Sequence, residues 1–122
     1  MTVWKAHSTM DYKRGDIVLV NFNPQKKKEE ISKVRPAVIL SDTELNEVLD
    51  LICVVALTTN LIKDAEPLRV RISKRNKLKQ ESDAMIEQLR SVSKERIQAI
   101  VGSVSEEEMK KIEYGIGVML NL

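Results

Sequence analysis

Two side chains of different chemistry bracket the most apolar stretch of this 122-residue chain. Arg35 stands directly before Pro36 and the apolar run Ala37–Leu40, while Thr58, followed by Thr59, closes the run Leu51–Leu57. Both runs read as strands, and if their ends meet in space they mount a guanidinium beside a hydroxyl on the most rigid elements available. A guanidinium offers a planar fork of donors suited to a phosphate, and a hydroxyl can add a neutral hydrogen bond to the same group. Taken alone, Arg35 could equally be a surface salt-bridge residue, and Thr58 and Thr59 ordinary strand-end threonines. Gln88 and Arg90 lie two positions apart on one face of a later strand candidate, where they can touch a base or phosphate or simply serve the sheet.

Other chemistries have no footing. His7 is the one histidine, so a two-histidine acid–base pair is impossible and a Ser-His-Asp triad has poor support. There is no Cys and His set for zinc and no calcium-loop spacing among the acids. None of the four glycines builds a phosphate-cradling GxGxxG or Walker loop. The single cysteine, Cys53, sits inside an apolar run, cannot form an internal disulfide, and reads as a small core residue rather than a nucleophile. Catalysis, if any, must use arginine, threonine, glutamate or the backbone, with neither metal nor cofactor.

The elements that must position these groups belong to a soluble globular chain, 43% hydrophobic and 31% charged, expected to form one domain over residues 1–122. No apolar run approaches the roughly 20 residues of a membrane span, and the N-terminus lacks a secretory pattern, so a cytoplasmic protein is expected. Net charge is only +2, but its distribution is uneven. Arg69, Arg71, Lys74, Arg75, Lys77 and Lys79 form a run without an acid, and Lys26, Lys27, Lys28, Lys33 and Arg35 form a second cluster. Each could be a solvated loop; two in one small domain favour a polyanionic partner.

The pattern predicts strands over Asp16–Phe22, Arg35–Ser41, Leu51–Leu57, Leu68–Ile72, Ala84–Leu89 and Ala99–Val104. Leu51–Leu57 reads as buried on both faces, and Leu68–Ile72 as half-buried with a basic outer face. Gln25–Val34 is a long polar loop after Asn23-Pro24, and Ser73–Ser82 a charged loop or helical turn. A capping box from Ser41 to Glu44 would open a short helix packed through Leu45, Val48 and Leu49. A second, Ser105 to Glu108, would open a terminal helix with an apolar stripe of Met109, Ile112, Ile116, Met119 and Leu120. Gly115 and Gly117 cost that helix roughly 1 kcal/mol each relative to alanine, which predicts close packing there. Strands without regular intervening helices favour a small, partly closed antiparallel barrel, α+β but mainly β.

Arg14-Gly15-Asp16-Ile17-Val18, Asn21-Phe22-Asn23-Pro24 and Arg35-Pro36-Ala37-Val38-Ile39-Leu40-Ser41 together resemble the opening of MazF/PemK-like toxins. The likeness continues through Val55-Ala56-Leu57-Thr58-Thr59, Glu87-Gln88-Leu89-Arg90-Ser91-Val92 and Gly102-Ser103-Val104-Ser105, in order from residue 13 to 122. It implies an SH3-like barrel and a homodimer. It also implies a metal-independent, sequence-specific endoribonuclease, the toxin of a type II toxin–antitoxin pair. In that family the RNA's own 2′-hydroxyl attacks, leaving a 2′,3′-cyclic phosphate and a 5′-hydroxyl. The resemblance places the catalytic arginine on Arg35, the catalytic threonine on Thr58 and a supporting acid on Glu30. It makes Asn23, Lys28, Lys33, Thr59, Gln88 and Arg90 the expected contacts to single-stranded RNA, and a cognate antitoxin the expected protein partner. The first loop departs from the family: Lys28-Glu29-Glu30-Ile31-Ser32-Lys33-Val34 replaces a glycine-bearing segment, which puts cleavage specificity in question. Residues 1–12 are an extension without a family counterpart. Two other readings stay open, a non-catalytic toxin of the same fold that inhibits gyrase by binding and an RNA-binding barrel that never cuts. One Trp, two Tyr and one Phe are a thin stacking platform for the latter.

Overall fold

A computed structural model describes residues 11–22 and 34–122. Trp4 and most of the Gln25–Val34 loop lie outside them. Six strands form one antiparallel sheet in the order β4-β5-β3-β2-β1-β6: β1 Asp16–Asn21, β2 Val34–Ile39, β3 Leu51–Thr58, β4 Arg69–Ile72, β5 Ser82–Ser93 and β6 Ile97–Ser103. Helix α1, Thr43–Val48, joins β2 to β3, and α2, Glu106–Leu120, follows β6. A single 3-10 turn, Lys94–Arg96, separates β5 from β6. Gly15 makes the entry to β1 possible, since its φ of 96° suits glycine and strains other residues.

Period-two alternation explains the core. Ile17, Val38, Val55, Leu57, Val70, Ile72, Ala84 and Ile86 join one cluster, completed by Met109 and Ile112 of α2. Their strand neighbours Val18, Val20, Ala37, Ile39, Ile52, Val54 and Val92 form a second cluster with Ile97. The two edge strands do not pair; instead the loop after β4 reaches β6, where Lys77 N–H donates to Val101 O at 3.0 Å and Arg75 Nη1 to Ser103 O at 3.2 Å. This is the partly closed barrel that the strand pattern predicts. Among the described residues no helix is long and apolar enough to cross a membrane.

Several local expectations are corrected. Asp42, not Ser41, caps α1, accepting from Glu44 N–H at 3.0 Å. Ser41 Oγ instead donates to Asn46 Oδ1 and accepts from Cys53 N–H, tying α1 to β3. The apolar face predicted for α1 points outward: Leu45, Val48 and Leu49 are all at least half exposed, while Asn46 is buried. Asn46 can sit inside because Nδ2 donates to Tyr12 O and Ser41 O, so its polar atoms are all matched. Strand β5 runs past Leu89 to Ser93 despite polar Arg90 and Ser91, because β3 supplies a partner along that length. No helical turn forms over Ser73–Ser82; an isolated bridge from Arg75 to Leu78 shapes that loop.

The capping box at Ser105 and Glu108 forms as predicted, with both reciprocal hydrogen bonds. Gly115 is where α2 meets the sheet, since a Cβ there would press into the Pro67 carbonyl oxygen. Gly117 has open space around it, so close packing is not its reason.

Candidate active site

The opening of the site is set by an irregularity in the sheet. Along β3 and β5, Val55 pairs with Leu89 and Leu57 with Ala84, so residues 85–88 of β5 stand across from Ala56 alone. This irregularity bends β5: its first part pairs with β4 and its second continues along β3. A cleft of about 400 Å³ opens at the bend, over Ala56 and Met85. Arg35 of β2, Thr58 of β3, and Gln88 and Arg90 of β5 line it together. The four residues singled out in three separate stretches of the sequence are thus neighbours in space.

Each is presented by a short, explicable arrangement. Arg35 pairs in register with Val20, between a β1 strand that is buried and the apolar body of β2. Among the described residues nothing pairs with its guanidinium. Thr58 ends β3, and its Oγ1 accepts from Asn60 N–H at 3.1 Å. That turn bond uses a lone pair and leaves the hydroxyl proton to donate. Arg90 lies over the Phe22 ring at 5.0 Å from its centroid, so the aromatic face holds the cation without consuming its N–H groups. Among the described residues the cleft's lining carries three guanidiniums and no carboxylate.

No motif in the sequence marks the third guanidinium. Arg69 lines the cleft with Phe22 and Asn60, whereas the strict alternation of β4 places Arg69 and Arg71 alike on a basic outer face. The two differ through Asp83, a buried acid that the sequence gives no reason to choose. Asp83 Oδ1 accepts from Arg71 Nε at 2.6 Å and Oδ2 from Ile62 N–H at 2.9 Å, fixing the loop after β3 against β4. The Asp83 hydrogen bond holds the Arg71 guanidinium above its ordinary pKa, partly offset by desolvation. The outer face of β4 is therefore an ion-paired seam, not a solvated basic strip.

Thr59 is exposed and lies outside the cleft lining. Glu30, Asn23, Lys28 and Lys33 fall outside the described residues. Cys53 is half-buried, away from the cleft, and desolvation pushes its thiol pKa up, against nucleophilic use. Among the described residues no group of three or more His, Cys, Asp or Glu gathers in a way that could hold a metal ion.

Residues 13–120 match the family model described as PemK-like, MazF-like toxin of type II toxin–antitoxin system. Endoribonuclease MazF of Staphylococcus saprophyticus is 30% identical over 111 residues, covering 90% of this chain and 92% of that protein. Among solved structures, MazE-MazF from Deinococcus radiodurans superposes with a TM-score of 0.77 at 20% identity, covering 93% of this chain and 98% of that one. The Mycobacterium tuberculosis toxin MazF-mt6 gives a TM-score of 0.73 at 18% identity, over 88% of this chain and 97% of that one. A mycobacterial endoribonuclease in complex with its cognate antitoxin gives 0.69 at 19%, over 92% and 95%. At such identities the structural matches speak for the fold, while the family model and the staphylococcal relative span nearly the whole chain. The chain belongs to the PemK-like, MazF-like toxins of type II toxin–antitoxin systems.

Proposed function

We propose that this protein is the RNA-cleaving toxin of its pair and that Arg35 and Thr58 carry the transition state. The supporting observation is their meeting, with Arg90 and Gln88, in one cleft. A single-stranded RNA lies in the cleft with one phosphate at Arg35. The 2′-oxygen attacks phosphorus, the bond to the 5′-oxygen breaks, and a cyclic phosphate and a 5′-hydroxyl result. One proton leaves the 2′-hydroxyl and one reaches the 5′-oxygen, so no water is consumed in this step. Negative charge grows on the non-bridging oxygens, where the Arg35 fork can make paired charge-assisted bonds and the Thr58 hydroxyl a neutral one. A guanidinium holds its proton too tightly at neutral pH to carry one, so Glu30, the supporting acid that the resemblance implies, is the better acceptor.

The chain acts as one domain, as a homodimer, in the cytoplasm, and an acidic segment of its antitoxin covers the basic cleft. The relatives support the partner: solved relatives include one in complex with its cognate antitoxin and a MazE-MazF pair. The test is to incubate the purified protein with a long, defined RNA in EDTA beside Arg35→Ala and Thr58→Ala. Discrete cuts with cyclic-phosphate ends, absent in both variants, are expected. An RNA bound but left intact would overturn the enzyme reading in favour of a binding module. Neither cutting nor binding would turn attention to gyrase inhibition.

A further inference from the structure

Arg69, Arg71 and Arg75 come from one basic run, yet their donors are used very differently. Arg71 gives Nε to Asp83 and Nη2 to Ile62 O at 3.3 Å. Arg75 forks onto both oxygens of Glu108 and also donates to Ser73 O at 2.9 Å and Ser103 O. Among the described residues Arg69 makes a single long hydrogen bond, Nη1 to Asn60 O at 3.5 Å. Its nearest carboxylate oxygens, on Asp83 and Glu87, stand off at 3.7 and 3.9 Å. The side chain is nevertheless only 17% exposed. A largely enclosed guanidinium with five donors, held in place by charge but barely hydrogen-bonded, is an incomplete site. It faces the cleft that Arg35 and Arg90 share.

We propose that Arg69 is a phosphate-contacting residue of the RNA track, taking a non-bridging oxygen of a phosphate that flanks the one at Arg35. This rests on the endoribonuclease reading and deepens it. Separate phosphates follow from the sheet order: β4 lies three strands from β2, on the order of 14 Å between backbones at the usual strand spacing. A contact remote from the breaking bond holds ground state and transition state alike, so it lowers KM and leaves kcat alone. Asn60, whose N–H turns Thr58 and whose carbonyl meets Arg69, links the two ends of the cleft.

The experiment measures steady-state cleavage of a short RNA carrying one mapped cut across a salt series, with wild type, Arg69→Gln, Arg69→Lys and Arg71→Gln. Arg69→Gln should raise KM about 10- to 100-fold, as expected for a lost charged hydrogen bond, with kcat unchanged. Its plot of log kcat/KM against log salt should be shallower by about 0.7, the share of one single-strand phosphate. Arg69→Lys should recover most of the slope. Arg71→Gln, which loosens the Asp83 seam, should lower the melting temperature but keep the slope. An RNA with one uncharged methylphosphonate, placed in turn at each flanking position, should show one position that penalises wild type and Arg69→Lys but not Arg69→Gln. Cleavage by wild type with no such position, or an unchanged slope in Arg69→Gln, would overturn the assignment while leaving the ribonuclease standing. An RNA left whole by the wild type would remove the underlying reading and this one with it.

Discussion

The cleft and the ion-paired seam formed by β4 and the loop after it use the same residue, arginine, to opposite ends. In the seam, Arg71 meets Asp83 and Arg75 meets both oxygens of Glu108, with carboxylate partners at hydrogen-bond distance. In the cleft, Arg90 rests on an aromatic face, Arg69 is held at arm's length by carboxylates, and Arg35 has no partner among the described residues. A guanidinium hydrogen-bonded to a carboxylate fixes two elements of the fold to each other. An unsaturated one, held in position, keeps its donors for a ligand. Counting positive charge along the chain cannot make this distinction, because it depends on where the acids arrive in three dimensions.

The division can be tested by asking whether cleft changes affect cutting without stability and seam changes the reverse. The largest effect belongs to Arg35→Ala, which should lower kcat for RNA cleavage about 10³-fold, near 4 kcal/mol of transition-state stabilisation, with its melting curve unmoved. Next, Asp83→Ala should cost about 3 kcal/mol of unfolding free energy in urea titrations, since it orphans the Ile62 N–H and releases Arg71. A smaller loss, about 2 kcal/mol, is expected for Glu108→Ala, which frees Arg75 and opens the capping box.

The smallest effect is a pH dependence. Burial raises the Glu108 carboxyl, but the Arg75 fork and the Ser105 contacts outweigh it, and the net pKa lies below the usual carboxylate range. A carboxyl depressed in the folded state lends its stability in full above its unfolded value, roughly 4.3, and loses it as pH falls through the folded value. Thermal melts should therefore fall between about pH 5 and 3 more steeply in the wild type than in Glu108→Gln. Equal slopes would remove this staple from the account.

Much of the architecture is legible in the chain itself. Alternation over Leu68–Ile72, continuous apolarity over Leu51–Leu57 and the Ser105–Glu108 spacing are local signals, and each produced its element. Helix α1 shows where local signals fail. Its apolar residues recur at helical spacing and still face outward, because Asn46 is claimed by the carbonyls of nearby Ser41 and of Tyr12, which is distant in sequence. The site divides the same way. Arg35, Thr58, Gln88 and Arg90 could be chosen from type, spacing and family likeness, and they line one cleft.

The sequence by itself thus determined the strand set, the two helices, the family and the main candidates for chemistry, because these reside in short patterns of hydrophobicity, capping and motif. Only the tertiary structure decided which arginines are spent and which are available. The bulge opposite Ala56 turns β5 into the cleft, and the buried carboxylate of Asp83 comes within reach of β4 only once β5 lies beside it. Partner saturation is a property of distances between strands, and no pattern along one strand encodes it.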